Sequence, residues 1–179
     1  MSHDQSGTAS VIIRHADERD LPAIMAIFNV EIAESAYVYV ETSLTLDDRR
    51  SWFQMHRSAS LPVVVATGPS DPTEVLGWAA LSPYRAPSGY RFTLEASMYV
   101  ARAAHRQGIG RRLLAALDDG AKAREVHAIV ASIDSENAPS IALSERFGYL
   151  RAARLTEVGQ KFERWRTQLL LPKVFSSEG

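Results

Sequence analysis

Apolar positions along the chain follow two different periods. Segment 108–124 repeats Ile109, Leu113 and Leu117 every four residues, which is the spacing of an amphipathic helix. Segment 63–67 is a short β-branched run, which is typical of a buried strand. In chain order, such segments predict a strand, two helices, three strands, a helix, a strand, a helix and two closing strands. This order predicts a mixed α/β (α+β) fold around one sheet.

Capping and turn-forming residues divide these segments. Thr45 followed by Asp48 resembles a capping box at the start of the second helix, and Gly148 is a natural C-cap for the last one. The breakers at 68–72 separate two strand runs and predict an antiparallel hairpin. Segment 31–42 fits either a strand or a loop. The predicted strands are residues 11–14, 63–67, 75–81, 91–100, 126–133, 149–158 and 162–171, and the predicted helices start near residues 20, 45, 108 and 139.

Composition limits the function classes. The 179 residues suit one domain, predicted over residues 11–172 with flexible tails at 1–10 and 173–179. The chain has no cysteine, which excludes disulfides, thiolate metal sites and cysteine nucleophiles. A formal net charge of −1 argues against a nucleic-acid partner. The polar start does not resemble a secretory signal, and the apolar runs are shorter than the ~18–20 residues of a membrane span, so we expect a cytoplasmic protein without a membrane partner.

The charge is distributed unevenly. Segment 96–117 contains no acidic residue but includes Arg102, Arg106, Arg111 and Arg112. A local cationic stretch in a weakly acidic protein favours a small anionic ligand over a long polyanion. The alternative is a solvated charged helix face.

A glycine-rich turn lies within this cationic stretch. Gly108 and Gly110 open the helix after a strand, and helix N-termini present unpaired amides and partial positive charge. With the arginines, these amides would form a pyrophosphate cradle that requires no metal. Arg111 stands where a Walker A loop needs lysine, and Leu113 stands where a Rossmann fingerprint needs a third glycine. Two glycines alone are also compatible with a purely structural tight turn.

Several separated blocks resemble one family. The run His105-Arg106-Gln107-Gly108-Ile109-Gly110 resembles the [Q/R]-x-x-G-x-[G/A] motif of the GNAT superfamily of N-acetyltransferases, with histidine in the first position. Segment 137–149 is similar to the second coenzyme-A region of that superfamily. The segments at 28–29, 48–53, 90–100 and 159–165 resemble phosphinothricin acetyltransferases and their methionine sulfoximine-acetylating relatives. The resemblance extends over residues 12–171.

The resemblance implies a mixed, mostly antiparallel central sheet flanked by helices. It also implies transfer of acetyl from acetyl-CoA, as cosubstrate, to the α-amine of a small amino-acid-like molecule by direct attack, and a homodimer. The cofactor-binding residues that it implies are Met98, Tyr99, Val100, His105, Arg106, Gln107, Gly108, Ile109, Gly110, Arg111, Asn137 and Ser140.

Glu95 is the candidate catalytic base, because it resembles the glutamate that members of this family use. Strand alternation places Leu94 and Met98 on one face and Glu95 on the other, just before the implied cofactor strand. An α-ammonium must lose a proton before attack, and an ordinary Glu with a pKa of ~4.3 would need a raised pKa or a water relay. The tyrosine that many members use as general acid is replaced here by Ser144, so the acid role stays unassigned. Tyr149 is more typical of the core.

A carboxylate on the substrate calls for an arginine. Arg85 matches the substrate-loop arginine of the family, and bidentate pairing supplies the geometric reason; Arg91 is the second candidate. Phe28, Tyr37 and Trp52 fit pocket walls or core, as does Tyr90.

Alternatives remain open for the function and for single residues. The chain could acetylate another amine, such as a protein N-terminus, a polyamine or an antibiotic, or it could be a non-catalytic acyl-CoA-binding sensor. Glu95 and Arg91 also fit surface positions on a strand. Asn137 also fits a helix cap, and Ser140 fits an exposed turn.

Overall fold

Seven strands form one sheet in the order β1-β2-β3-β4-β5-β7-β6. The structure, a computed structural model, describes residues 11–175. All neighbouring strands pair antiparallel except β4 and β5, which are parallel. The predicted element order and the mixed, mostly antiparallel sheet are therefore confirmed. The elements are β1 (Ile12–His15), α1 (Leu21–Glu34), α2 (Leu46–Ser58), β2 (Val63–Thr67), β3 (Val75–Pro83), β4 (Thr93–Val100), α3 (Ile109–Lys122), β5 (Ala128–Asp134), α4 (Ala138–Arg146), β6 (Ala153–Lys161) and β7 (Arg164–Val174).

Helices cover both faces of the sheet. On one face, Ile24 of α1 and Phe53 of α2 pack against the buried Trp78 of β3. On the other face, Leu113 and Leu117 of α3 belong to a larger cluster that also includes residues of α4. Full burial of each such side chain contributes roughly 1.5–3 kcal/mol, so these two layers fix the position of the sheet between the helices.

Helix ends follow the predicted capping chemistry. The Thr45 hydroxyl accepts a hydrogen bond from the Asp48 amide at 3.2 Å, and the Asp48 carboxylate accepts one from the Thr45 amide at 2.8 Å. This reciprocal pair is the capping box expected from the sequence. Gly148 follows α4 with a φ of +83°, a conformation in which a side chain would be strained.

Some boundaries differ from the sequence predictions. β4 begins at Thr93 rather than at residue 91, because residues 88–90 form a single turn of 3₁₀-helix. β6 begins at Ala153 rather than at residue 149, because the Tyr149 amide still donates to the Ser144 carbonyl at the end of α4, at 3.1 Å. The ambiguous segment 31–42 divides between the end of α1 and a loop.

The predicted C-terminal tail begins too early. Lys173 and Val174 belong to β7, where Val174 pairs with Ala128 of β5. The Lys173 ammonium also donates to the buried carboxylate of Asp118. Phe175 packs against the core, and its amide donates to the His127 carbonyl at 2.8 Å. The rest of the predicted tails, residues 1–10 and 176–179, lies outside the described residues.

The parallel pairing between β4 and β5 is short. It joins Thr93–Ala96 to Ala128–Ala131, although β4 continues to Val100 and β5 to Asp134. Residues 97–100 keep their pairing with β3 on the other side. The two strands therefore separate beyond Ala96, and this opening leaves one edge of residues 97–100 without a strand partner among residues 11–175.

A buried ion pair holds the far end of β5 in place. Asp134 and Arg166 of β7 form two hydrogen bonds of 2.8 Å, and their side chains are 0% and 3% exposed. The Tyr39 hydroxyl donates to the same carboxylate at 2.8 Å. Burial alone would raise the Asp134 pKa, but the hydrogen bonds from Arg166, from the Glu136 amide and from Tyr39 outweigh it and hold the pKa below the usual value.

The loop between α1 and α2 is fastened to the last hairpin. The Lys161 ammonium, which is buried, donates to the backbone carbonyls of Ile32, at 2.7 Å, and of Val40. The Tyr39 ring lies so close to Gly159 that a Cβ there would be 2.5 Å from Cδ2 of the ring. These contacts hold residues 32–40 against the β6–β7 hairpin.

We expect Asp134→Asn to destabilise the fold by about 3 kcal/mol at pH 7, because it leaves the Arg166 guanidinium buried without its main counter-charge. Urea unfolding measures the change. The matched control is Asp119→Asn, whose carboxylate lies in an exposed pair 3.8 Å from Lys122 and should contribute little.

The loss should also depend on pH. Folding lowers the Asp134 pKa, so its contribution is complete above the unfolded value of ~3.9 and is lost as the pH falls through the lower folded value. The difference between wild type and variant should therefore shrink toward pH 2. An equal difference at pH 7 and pH 2 would contradict this assignment.

Candidate functional site

The two faces of β4 contact different helices: one face packs on α3, and the other lies beneath α1 and α2. Leu94 and Met98 face the α3 side and pack against its core. Tyr99 packs on the opposite side, against the cluster beneath α1 and α2. Because strand residues alternate, Glu95 and Ser97 share this second face with Tyr99, as the sequence predicted.

A cavity of about 210 Å³ lies on the second face of β4. Aromatic rings form most of its wall: Trp78 and Tyr99 lie 4.9 Å apart between centroids, and Phe28 lies 4.8 Å from Tyr99. Burial raises the pKa of Tyr99 to about 12, against the opposing charge of Arg49 and with smaller contributions from Glu31 and Glu95. The lining residues are Phe28, Leu44, Arg49, Trp52, Trp78, Ser97 and Tyr99.

Arg49 is a site residue that the sequence reasoning missed. It lies on α2, is 2% exposed, and its guanidinium carbon is 5.1, 4.6 and 5.2 Å from the ring centroids of Phe28, Trp52 and Trp78. Its Nε and Nη2 atoms have no hydrogen-bond partner within residues 11–175. Burial lowers its pKa, with Tyr99 opposing. One feature of the sequence could have indicated it. Arg49 lies four residues before the apolar Phe53, and residues with this spacing share one face of a helix, here the buried face of α2.

A second polar pair lies beside Glu95. His56 is completely buried; its Nδ1 is 2.8 Å from the Trp52 carbonyl and its Nε2 is 3.0 Å from the Ser82 hydroxyl. A carbonyl only accepts, so we assign the proton to Nδ1, and Nε2 accepts from Ser82. Burial lowers the His56 pKa, which favours the neutral ring. Ser82 of β3 is the cross-strand partner of the half-buried Glu95. The contact between His56 and Ser82 therefore supports the sheet at the position of the candidate base.

A larger cavity, of about 360 Å³, lies near β1 and the end of α2, away from β4. Its charged side chains include Arg57 and Glu18, which are 2.9 Å apart and satisfy each other. The guanidinium of Arg49, whose Nε and Nη2 have no hydrogen-bond partner within residues 11–175, lines the smaller cavity on β4 instead.

The glycine turn opens α3 without a side-chain cap. Gly108 occupies the N-cap position with a φ of +75°, which only glycine adopts without strain. A Cβ on Gly110 would lie 3.3 Å from Leu143, so a side chain there would crowd α4. The first amides of α3, from Gly108 to Arg111, therefore have no side-chain cap within residues 11–175.

The arginines of the cationic stretch have different environments. Arg102 pairs with Glu31 at 3.1 Å and with Glu34, both on α1. Arg106, Arg111 and Arg112 are exposed, and none of them joins an ion pair within residues 11–175. These three carry the uncompensated positive charge near the start of α3.

The other residues of the turn make local contacts. His105 Nε2 is 3.0 Å from the Val100 carbonyl, and the Gln107 side chain donates to the Ala103 carbonyl at 3.4 Å. Ile109 is buried in the core. These contacts hold the loop between β4 and α3 in its bend.

The second implied coenzyme-A region begins with a helix cap. The Asn137 side chain accepts a hydrogen bond from the Ser140 amide at 3.3 Å, which is the capping alternative raised for Asn137. Ser140 itself is half-buried rather than exposed. Tyr149 is in the core, as predicted, and its hydroxyl donates to Asp118 at 3.0 Å. Burial and Asp118 raise the Tyr149 pKa, so its proton is held in the core.

The structure places Arg85 and Arg91 in the exposed loop between β3 and β4. The Arg85 guanidinium lies over Tyr84 and Tyr90, with its carbon 5.1 and 5.7 Å from the ring centroids. Arg91 donates to the Ser88 carbonyl and stacks on Phe92. Neither arginine lines the cavity on β4.

Aromatic candidates from the sequence separate into two groups. Phe28 and Trp52 line the cavity. Tyr37 and Tyr90 are exposed and are absent from its wall.

Neither a metal-binding cluster nor a membrane-spanning helix occurs within residues 11–175. No three His, Asp or Glu side chains of this part of the chain are grouped so that they could hold a metal ion. None of its helices has the length and apolar character needed to cross a membrane.

Comparison with known proteins agrees with this geometry. Residues 26–149 match the model of the acetyltransferase (GNAT) family. The L-methionine sulfoximine/L-methionine sulfone acetyltransferase of Pseudomonas aeruginosa is 38% identical over 87% of this chain and 90% of its own. The phosphinothricin N-acetyltransferase of Streptomyces coelicolor is 35% identical over 89% of this chain and 93% of its own.

A solved structure of yncA from Salmonella typhimurium, determined with its cofactor acetyl-CoA, superposes with a TM-score of 0.90 at 32% identity, covering 95% of this chain and 96% of the other. The open edge of β4, the uncapped turn before α3 and these likenesses lead to one conclusion. The chain belongs to the acetyltransferase (GNAT) family.

Proposed function

We propose that the chain transfers the acetyl group of acetyl-CoA to the α-amine of an amino acid of the methionine sulfone, methionine sulfoximine or phosphinothricin type. The observation that carries this proposal is the position of Glu95. Glu95 lies on β4 one residue before Ala96, where the pairing with β5 ends, and on the face of the strand that also carries Ser97 and Tyr99 of the aromatic cavity. The names of the relatives support the substrate class.

The residues around the opening fit acetyl-CoA. The amides from Gly108 to Arg111 and the unpaired Arg106 and Arg111 would bind its pyrophosphate, because they combine free donors with positive charge. The free edge of Met98, Tyr99 and Val100 would hydrogen-bond the pantetheine amides as an added strand does. His105, Gln107 and Ile109 would hold the shape of this turn.

Asn137 and Ser140 complete the proposed cofactor side. The Asn137 carbonyl oxygen is used by the helix cap, and its amide group donates no hydrogen bond within residues 11–175. That group would bind the pantetheine or the nucleotide end. When bound, acetyl-CoA supplies an acetyl thioester as the electrophile.

Glu95 would accept the proton that the α-ammonium must lose before attack, either directly or through a water. Its strand pairing with Ser82, whose hydroxyl is engaged by His56, keeps this position rigid. No general acid is assigned, since Ser144 is buried and Tyr149 is engaged with Asp118. A thiol pKa of ~8.5 makes the thiolate a tolerable leaving group without a general acid.

Arg85 would bind the α-carboxylate of the substrate, with Arg91 as the second candidate. Both lie in the loop that follows β3, next to the strand end that carries Ser82 and Glu95. A bidentate guanidinium–carboxylate pair would orient the amine.

We further propose a cytoplasmic homodimer. Acetyl-CoA as cosubstrate supports the location. Exposed apolar side chains near the β6–β7 hairpin support the dimer, because clustered apolar surface marks interaction sites: Val158 is 55% exposed, Phe162 51% and Trp165 62%.

A thiol-release assay with acetyl-CoA tests the proposed activity. We expect turnover with L-methionine sulfone, L-methionine sulfoximine and phosphinothricin, and far less with polyamines, peptides or aminoglycosides. Turnover restricted to those other amines would contradict the substrate class. If saturating acetyl-CoA stabilises the fold, by about 2.7 kcal/mol at 100 Kd, but no amine is acetylated, the chain is a sensor rather than an enzyme.

Glu95→Gln should lower kcat by about 10²–10⁴-fold at pH 7, because a positioned base contributes roughly that much. The loss should diminish at higher pH, where more of the amine is already neutral. Thermal stabilisation by acetyl-CoA should be unchanged. The control is Glu157→Gln, an exposed carboxylate of β6. Wild-type kcat in Glu95→Gln at pH 7 would remove Glu95 as the base.

Trp165→Glu should shift the protein from dimer to monomer, because a charge replaces the most exposed of these apolar side chains. Light scattering coupled to size-exclusion chromatography measures the mass. A wild type that is monomeric at micromolar concentration would contradict the dimer, and a dimeric Trp165→Glu variant would place the interface elsewhere.

A further inference from the structure

We propose that Arg49 binds the side chain of the acceptor amino acid, with Nε and Nη2 donating hydrogen bonds to the two polar atoms of a sulfone, sulfoximine or phosphinate group. This inference rests on the proposed function. It adds a residue that determines which side chains the enzyme accepts.

The first argument is the unsatisfied state of the guanidinium. Arg49 is 2% exposed, and Nε and Nη2 have no partner within residues 11–175. Buried donors without a partner cost free energy and are rare in native structures. The surrounding rings of Phe28, Trp52 and Trp78 favour the charge through cation–π contacts, but they do not accept the N–H bonds in its plane. A ligand in the cavity that Arg49 lines would supply the missing acceptors.

The second argument is the geometry of the two donors. Nε–H and one Nη2–H lie along the same edge of a guanidinium and point in parallel. Such an edge matches a group that carries two acceptors on one atom, as a sulfone, sulfoximine or phosphinate does. A single point charge such as lysine would not select this shape. The aromatic wall also offers apolar space for the methyl group that these three side chains share.

The third argument explains why Arg49 would bind the side chain of the substrate rather than its α-carboxylate. Arg49 packs on Trp78, which pairs with Tyr99, whereas the candidate base is Glu95. Four residues along a strand span roughly 13 Å. The α-carboxylate shares its carbon with the reacting amine and must stay near it. The sulfur or phosphorus atom of the side chain is three bonds further from that carbon, so it is the part of the substrate that can extend from Glu95 toward Arg49.

The test compares Arg49→Met with wild type on three acceptors: L-methionine sulfone, L-norleucine and the carboxamide of L-methionine sulfone. Norleucine lacks the side-chain oxygens, and the carboxamide lacks the charged carboxylate. The matched control is Arg50→Gln, an exposed arginine of the same helix that pairs with Asp47. Arg49→Lys keeps the charge but loses the paired donors.

For Arg49→Met we expect KM for methionine sulfone to rise about 30-fold or more, because a site that donates to a substrate rejects one it cannot bond. KM for norleucine should change by less than about 3-fold, and the loss with the carboxamide should equal the loss with the free sulfone. Arg49→Lys should fall between wild type and Arg49→Met. The melting temperature without substrate should be unchanged or higher, since an unpaired buried charge is removed.

Equal losses on sulfone and norleucine would overturn the inference and indicate a structural role. A loss that disappears with the carboxamide would also overturn it and assign Arg49 to the α-carboxylate. The ratio of sulfone to norleucine activity stays informative even in a less stable variant, because partial unfolding lowers both equally. A wild type that acetylates none of these amino acids would refute the proposed function, whereas a variant that keeps the wild-type preference refutes this inference alone.

Discussion

The separation of β4 from β5 is the constraint on which the rest of the site depends. Parallel pairing ends at Ala96, yet both strands continue. A fully paired sheet would leave no donors or acceptors for a ligand in its interior. The ion pair between Asp134 and Arg166 keeps β5 directed toward β7 where it leaves β4. A costly buried charge pair is thus placed where it maintains an opening in the sheet.

The alternation of a single strand separates the two substrates. On the α3 side, β4 is followed by the glycine turn, whose uncapped amides and unpaired arginines suit the pyrophosphate of acetyl-CoA. Residues that face α1 and α2 line the aromatic cavity. Since both faces and the open edge belong to one eight-residue strand, the proposed acetyl donor and acceptor are brought together by backbone geometry. Loops such as the one between β3 and β4 can then determine which acceptor binds without changing the geometry of the strand.

Local signals in the sequence predicted most of the fold. The β-branched run of β2, the capping box at Thr45 and the glycine C-cap of α4 depend on neighbouring residues and were read correctly. The hydrogen bond between Tyr39 and Asp134 joins residues far apart in the chain, so no local sequence pattern predicts it. Arg49 was missed for another reason. A charged residue on a helix normally faces solvent, and only the packed structure shows that three aromatic rings enclose it.

The enclosed Arg49 illustrates how a site can differ from the rest of a core. The other buried charges described within residues 11–175 have polar partners: Asp134 pairs with Arg166, Asp118 with Lys173 and Tyr149, and Lys161 donates to two backbone carbonyls. These contacts satisfy the rule that a buried charge needs partners. Arg49 departs from that rule at the cavity wall. Local departures of this kind are expected where binding, rather than folding, supplies the partner.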